Sequence, residues 1–165
     1  MRQYYTEKSY KELLSHMILL VDTRESSNKE ITNWFDRNGV NWKQRALKTG
    51  DYGFMVEGCQ ELGFPVDTYF SDEICIERKN SVSELAGNIA NATKDDDRIF
   101  KEFNRMINIE KNYVLIENDS MEDIFKENYK TKLNPTSFLR TLLTWQSRNN
   151  MHIYFVKREY MGRMI

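Results

Sequence analysis

Strand-length apolar runs alternate along this chain with segments of helical periodicity, and that alternation restricts its fold more than any other feature. Met17 to Val21 is unbroken apolar sequence ending at Asp22, the signature of a buried and central strand. Helical spacing then takes over. Ile31, Trp34 and Phe35 share a face, Ser27 and Glu30 form a capping-box pattern, and Asn38-Gly39 supplies a stop, which predicts a helix over about 28 to 38. Trp42 to Leu47 and Tyr52 to Val56 are short and aromatic, with Thr49-Gly50-Asp51 as turn material between them, and are expected to form a hairpin. Residues 57 to 72 are read as a longer hairpin or a loop, because two glycines and a proline interrupt them. Ile74 to Lys79 is the next strand.

The second half repeats the alternation. Ser81 and Glu84 again form a capping-box pattern, and Val82, Leu85, Ala86, Ile89 and Ala90 recur at helical spacing over 81 to 91. The acidic run Asp95 to Asp97 is expected to start a helix carrying Ile99, Phe100, Phe103, Met106 and Ile107, with Arg98, Lys101 and Arg105 on its polar side. Tyr113 to Ile116 is a strand and Met121 to Tyr129 a short helix. Asn134-Pro135 opens a helix bearing Phe138, Leu139, Leu142 and Leu143, His152 to Val156 is the last strand, and Tyr160 to Ile165 a terminal helical turn. The sum is an α/β chain whose mixed sheet is covered by helices on both faces, one domain over 1–165 with 1–16 as a short helix or arm.

Composition narrows the partners less sharply. Charged residues make up 30% of the chain yet leave a net charge of -1, so a polyanion would bind only through a local basic face. Cys59 and Cys75 lack the spacing of a zinc or redox motif, and His16 and His152 stand far from both. No basic start followed by a long apolar stretch is present. The expectation is an unsecreted protein, cytoplasmic in a bacterial or phage-infected host or nuclear in a eukaryote.

Chemistry concentrates on one strand. Side chains alternate along it, so Glu77 and Lys79 project to one face with Cys75, while Ile74, Ile76 and Arg78 project to the other. Asp51 would add a second carboxylate if its strand pairs with this one. Two such oxygens suit a magnesium ion, and an adjacent ammonium suits the charge that develops on an attacked phosphodiester. Asp followed at a distance by Glu-x-Lys is short enough to recur by chance, so the pattern alone does not identify an enzyme.

Longer segments carry more. Val21-Asp22-Thr23-Arg24-Glu25, Gly50-Asp51-Tyr52 and Glu77-Arg78-Lys79 occur in that order and resemble the motifs of the XPF-type structure-specific endonuclease family, within the restriction-endonuclease-like superfamily. Tyr113 to Glu117 resembles that family's later strand ending in an acidic residue, and the likeness covers about residues 17 to 157. It implies a restriction-endonuclease-like fold and Mg2+- or Mn2+-dependent cleavage of branched DNA, as in repair, recombination or replication. Asp51 and Glu77 would be metal ligands, with Asp22 and Glu84 as further candidates. Lys79 would orient the water or stabilise the phosphorane, and Asp22, Arg24, Glu25 and Arg78 would line the site.

One position departs from the pattern. The last aspartate of the Glu-Arg-Lys motif falls on Ser83, with Glu84 beside it; for Glu84, helix cap and metal ligand remain equally open. A DNA-binding or scaffolding module with a degenerate site is therefore the alternative. The sequence also ends without the tandem helix-hairpin-helix module that family members often append, which leaves plain duplex or single strands open as substrates. It also implies a homodimer or partner protein, for which Phe138 to Trp145 is a candidate surface, although core packing explains that stripe equally well.

Overall fold

The computed structural model describes residues 5–91 and 98–165. In chain order the elements are α1 (Glu7–His16), β1 (Met17–Val21), α2 (Lys29–Arg37), β2 (Trp42–Gln44), β3 (Tyr52–Val56), a 3-10 turn (Gln60–Leu62), β4 (Thr68–Tyr69), β5 (Ile74–Lys79), α3 (Val82–Ala90), α4 (Arg98–Met106), β6 (Lys111–Glu117), α5 (Met121–Phe125), α6 (Pro135–Asn149), β7 (Met151–Val156) and α7 (Arg158–Met164). The expected start of α4 at Asp95 to Asp97 lies outside the described residues.

Seven strands among the described residues form one mixed sheet in the order β2-β1-β3-β5-β6-β7, with β4 paired to β3. The run β5-β6-β7 is parallel, and α3 to α6 lie in its crossovers. Helices cover both faces. On one, Cys75 and Val114 pack with Leu85, Phe103, Phe138 and Trp145; on the other, Val21, Tyr52 and Leu115 pack with Phe35 and Met161. No helix of the described residues is long and apolar enough to cross a membrane.

The expected hairpin between residues 42–47 and 52–56 does not form. β1 separates the two strands, pairing parallel with β2 and antiparallel with β3. The reason lies at the end of β1, where Asp22 and its neighbour capture the connecting loop: Arg45 N–H donates to the Val21 carbonyl at 2.9 Å, and Leu47 N–H donates to Asp22 Oδ2 at 2.6 Å. The loop thus crosses β1 instead of turning back on β2. Residues 57 to 72 take the longer-hairpin form, with Met55 opposite Tyr69 and Val56 opposite Thr68.

Local signals set most helix ends. Ser81 Oγ accepts from Glu84 N–H at 3.0 Å ahead of α3, and Asn134 Oδ1 accepts from Thr136 and Ser137 N–H ahead of α6. The Ser27 capping box is not made. Asn28 is the N-cap of α2, and Ser27 N–H donates instead to Glu25 Oε1 at 3.0 Å. In α6, Phe138, Leu142 and Trp145 are buried in the core, and Leu143 is exposed. Phe100 and Ile107 of the expected α4 stripe are likewise exposed.

Candidate active site

A glycine opens the way for the first carboxylate. Gly50 has φ +77°, and a Cβ there would stand 2.4 Å from Cys75 Sγ and 3.0 Å from the Ile76 carbonyl oxygen, so only glycine lets the chain close this tightly on β5. Asp51 N–H then donates to Ile76 O at 2.9 Å. Tyr52 stands opposite Ile76 in antiparallel register, which places Asp51 across from Glu77 with both side chains on one face. Arg78 N–H donates to Asp51 Oδ2 at 2.8 Å, fixing the carboxylate against the strand.

Glu77 is 3% exposed. Its Oε1 accepts from Lys79 Nζ at 2.6 Å, whereas its buried Oε2 has no hydrogen-bond partner among the described residues. Leaving a buried charged oxygen unpaired is costly, and a proton or a bound cation would relieve that cost. Burial pushes Asp51 up to about 6, with the charge of Glu25 adding to it and the Arg78 N–H and Lys79 opposing. Burial likewise holds Glu77 well above the usual carboxylate range, reinforced by the charge of Asp51. Lys79 goes the other way: burial alone would lower its ammonium, but Glu77 and Glu102 hold it above the ordinary lysine value.

Glu102, on α4, is the residue that sequence reasoning missed. Its Oε2 lies 3.4 Å from Lys79 Nζ, and its charge reaches Asp51 and Glu77 as well. A signal was present. Glu102 stands three residues after Ile99 and four before Met106, both buried, so it belongs to the apolar stripe of its helix and faces the sheet.

The remaining sequence candidates occupy three places. Asp22 is fully buried, its Oδ1 accepting from Arg24 N–H and Nε and its Oδ2 from Leu47 N–H. Those hydrogen bonds outweigh burial and hold its carboxyl below the usual range. Arg24 is exposed, and the charges of Asp51 and Glu77 reach it, which puts a guanidinium at the rim. Arg78 leaves on the opposite face. Its guanidinium donates to Glu117 Oε2 at 2.7 and 2.9 Å, Glu25 Oε1 at 3.1 Å, the Ser27 carbonyl and Asn80 Oδ1. Arg158 pairs with the other oxygen of Glu117.

Glu84 is engaged near the start of α3, its Oε2 accepting from Asn80 N–H at 2.8 Å and Asn80 Nδ2 at 3.0 Å. Ser83 Oγ accepts from Lys130 N–H at 3.3 Å. Among the described residues no group of three or more His, Cys, Asp or Glu is arranged to hold a metal ion. Two carboxylates suffice for magnesium, which keeps several waters and takes further oxygens from a phosphate. The unpaired Glu77 Oε2 and the all-oxygen donor pair fit such an ion.

A cavity of about 410 Å³ opens beside β5 on its other face, lined by Arg78, Asn80, Glu117 and Arg158 among others. It is distinct from the carboxylate pair.

Comparison with known proteins agrees with the fold. The family model described as ERCC4 domain matches residues 21–161. XPF from Aeropyrum pernix superposes with TM-score 0.63 at 18% identity, over 89% of this chain and 60% of that one. XPF from Aeropyrum pernix in complex with DNA superposes with TM-score 0.56 at 17% identity over the same shares. The chain therefore matches less than two thirds of those solved chains. No curated protein matches it.

Proposed function

Because this chain belongs to the ERCC4 domain family, we propose that it is a Mg2+- or Mn2+-dependent DNA endonuclease that hydrolyses phosphodiester bonds in branched DNA. The observation that carries the reading is the pairing of half-buried Asp51 with buried Glu77, one of whose oxygens has no partner among the described residues, beside the Lys79 ammonium. The DNA complex of the Aeropyrum pernix protein of the same fold supports DNA as the partner.

Asp51 and Glu77 would hold the cation, which supplies a Lewis acid and an activated water. Lys79 is held charged at the same place, where it neutralises charge developing on the phosphoryl oxygens. Arg24 at the rim suits a contact with the DNA backbone rather than with bases. Arg78 and Asp22 act on the site from behind, the first by holding Asp51 through its N–H, the second by pinning the loop that leads to Asp51.

The test is a panel of fork, flap, four-way junction and linear DNAs with Mg2+ or Mn2+, comparing the parent with Asp51→Asn. Metal-dependent cutting of branched substrates that the substitution abolishes is the expected result. Cutting of linear DNA alone would replace the substrate class. Ser83 motivates one competing reading, a DNA-binding or scaffolding module, since the motif position carries a hydroxyl engaged with Lys130. Equal DNA affinity in parent and variant, without metal-dependent cleavage in either, would establish it.

A further inference from the structure

Taking the two-carboxylate reading of the site as its basis, we propose that Glu102 is a positioning residue that receives the Lys79 ammonium when Glu77 turns its oxygens to a divalent cation. Lys79 Nζ stands between two carboxylates, 2.6 Å from Glu77 Oε1 and 3.4 Å from Glu102 Oε2. While the shorter contact holds, Glu77 has only Oε2 to offer, and an ammonium within a few ångströms repels any cation that approaches it. A small shift of the flexible lysine side chain toward Glu102 frees Glu77 Oε1, draws the ammonium away from the cation's place and leaves its charge balanced by Glu102.

The surroundings single out Glu102 for this part. Glu84 is a further carboxylate whose charge is felt at Lys79, and it is committed to Asn80, accepting from its backbone and side-chain N–H groups. Glu102 is anchored by the buried Ile99, Phe103 and Met106 of α4, while its own side chain is 28% exposed and free to follow the ammonium. It does not belong to the cation's own ligand set, because no third acidic or imidazole side chain among the described residues joins Asp51 and Glu77 in one. Ser83, where the motif would place another carboxylate, contacts Lys130 instead. The charge that balances Lys79 thus comes from a different helix.

Calorimetric titration of the metal-free, DNA-free protein with Mn2+ tests this without reference to cleavage. The parent should bind Mn2+ at a site that Asp51→Asn removes. Glu102→Gln, isosteric and on a partly exposed side chain, should weaken that binding by about tenfold or more, the size typical of groups that orient metal ligands. Glu102→Asp, which keeps the charge, should bind closer to the parent than Glu102→Gln does. In a Lys79→Met background Glu102→Gln should cause no further loss. The same affinity in parent and Glu102→Gln would overturn the inference and leave the proposed nuclease standing. Equal losses with and without Lys79 would also overturn it, by showing that Glu102 acts on the cation directly. A parent that binds no Mn2+, or binds it regardless of Asp51, would remove the proposed function and this inference together.

Discussion

The two faces of β5 carry charge in opposite styles. On one, Arg78 is closed in by Glu25 and Glu117, the Ser27 carbonyl and Asn80, and Arg158 completes Glu117 from outside. Two guanidinium groups meet two carboxylates. On the other face, among the described residues, the carboxylates of Asp51, Glu77 and Glu102 share the ammonium of Lys79, and one buried oxygen of Glu77 has no partner. The same six-residue strand therefore builds a satisfied network and an unsatisfied one, back to back. Satisfied buried charge fixes structure, whereas unsatisfied buried charge is tolerated where a ligand completes it.

Substitutions on the two faces should break differently. The largest effect is expected from Glu117→Ala, which removes the nearer of the two carboxylates around the buried Arg78 guanidinium and leaves Glu25 to balance it; it should lower stability by about 3 kcal/mol, the low end of the cost of breaking a buried ion pair. Denaturant unfolding checks it, and a loss near zero would contradict the structural role of that network. Next, Asp51→Asn or Glu77→Gln should slow single-turnover cleavage by about a hundredfold or more, as loss of a transition-state-stabilising group does. On the same comparison Asp51→Asn should not destabilise the metal-free protein at pH 8 and should raise its melting temperature, since it removes one of two neighbouring carboxylates that repel each other.

pH sharpens the contrast. Asp51 titrates at about 6, above the ordinary aspartate range, so the folded state holds a proton that the unfolded state has released. Through Asp51, stability of the metal-free protein should therefore fall as pH rises from about 4 to about 6, and Glu77, held well above the usual carboxylate range, carries the decline further. Asp51→Asn should flatten that decline in melting curves. Cleavage should follow the opposite sense, rising through pH 6 as the carboxylates ionise, and a rate independent of pH between 5 and 8 would count against the metal-ligand role. The smallest effect belongs to Glu84→Ala, a lost cap worth about 1 kcal/mol, with cleavage kept close to the parent's. A collapse of cleavage there would return Glu84 to the metal site.

How much could be read beforehand follows from how local each interaction is. That Asp51, Glu77 and Lys79 come together was legible because Gly50-Asp51 marks a turn and strand alternation puts Glu77 and Lys79 on one face, with only adjacent strands needed to oppose Asp51 to Glu77; the chemistry assigned to them came from the longer motifs. The departure of Arg78 to the other face was legible for the same reason. Its partner Glu117 lies 39 residues on, and no local pattern names it. The hairpin failed because the loop after β2 is held by Asp22 and Val21 at the end of β1, an interaction across 25 residues for Leu47 that turn composition does not reveal. Glu102 was hidden by its residue type. A carboxylate on an apolar stripe reads as a border residue until the helix is seen to lie over Lys79.

The most direct measurement is anomalous diffraction from crystals of the protein grown or soaked with Mn2+. The account predicts a manganese peak bonded to Asp51 and to Glu77, and its disappearance in Asp51→Asn. An ion seated instead among Glu25 and Glu117, or a carboxylate pair left empty at saturating Mn2+, would contradict it.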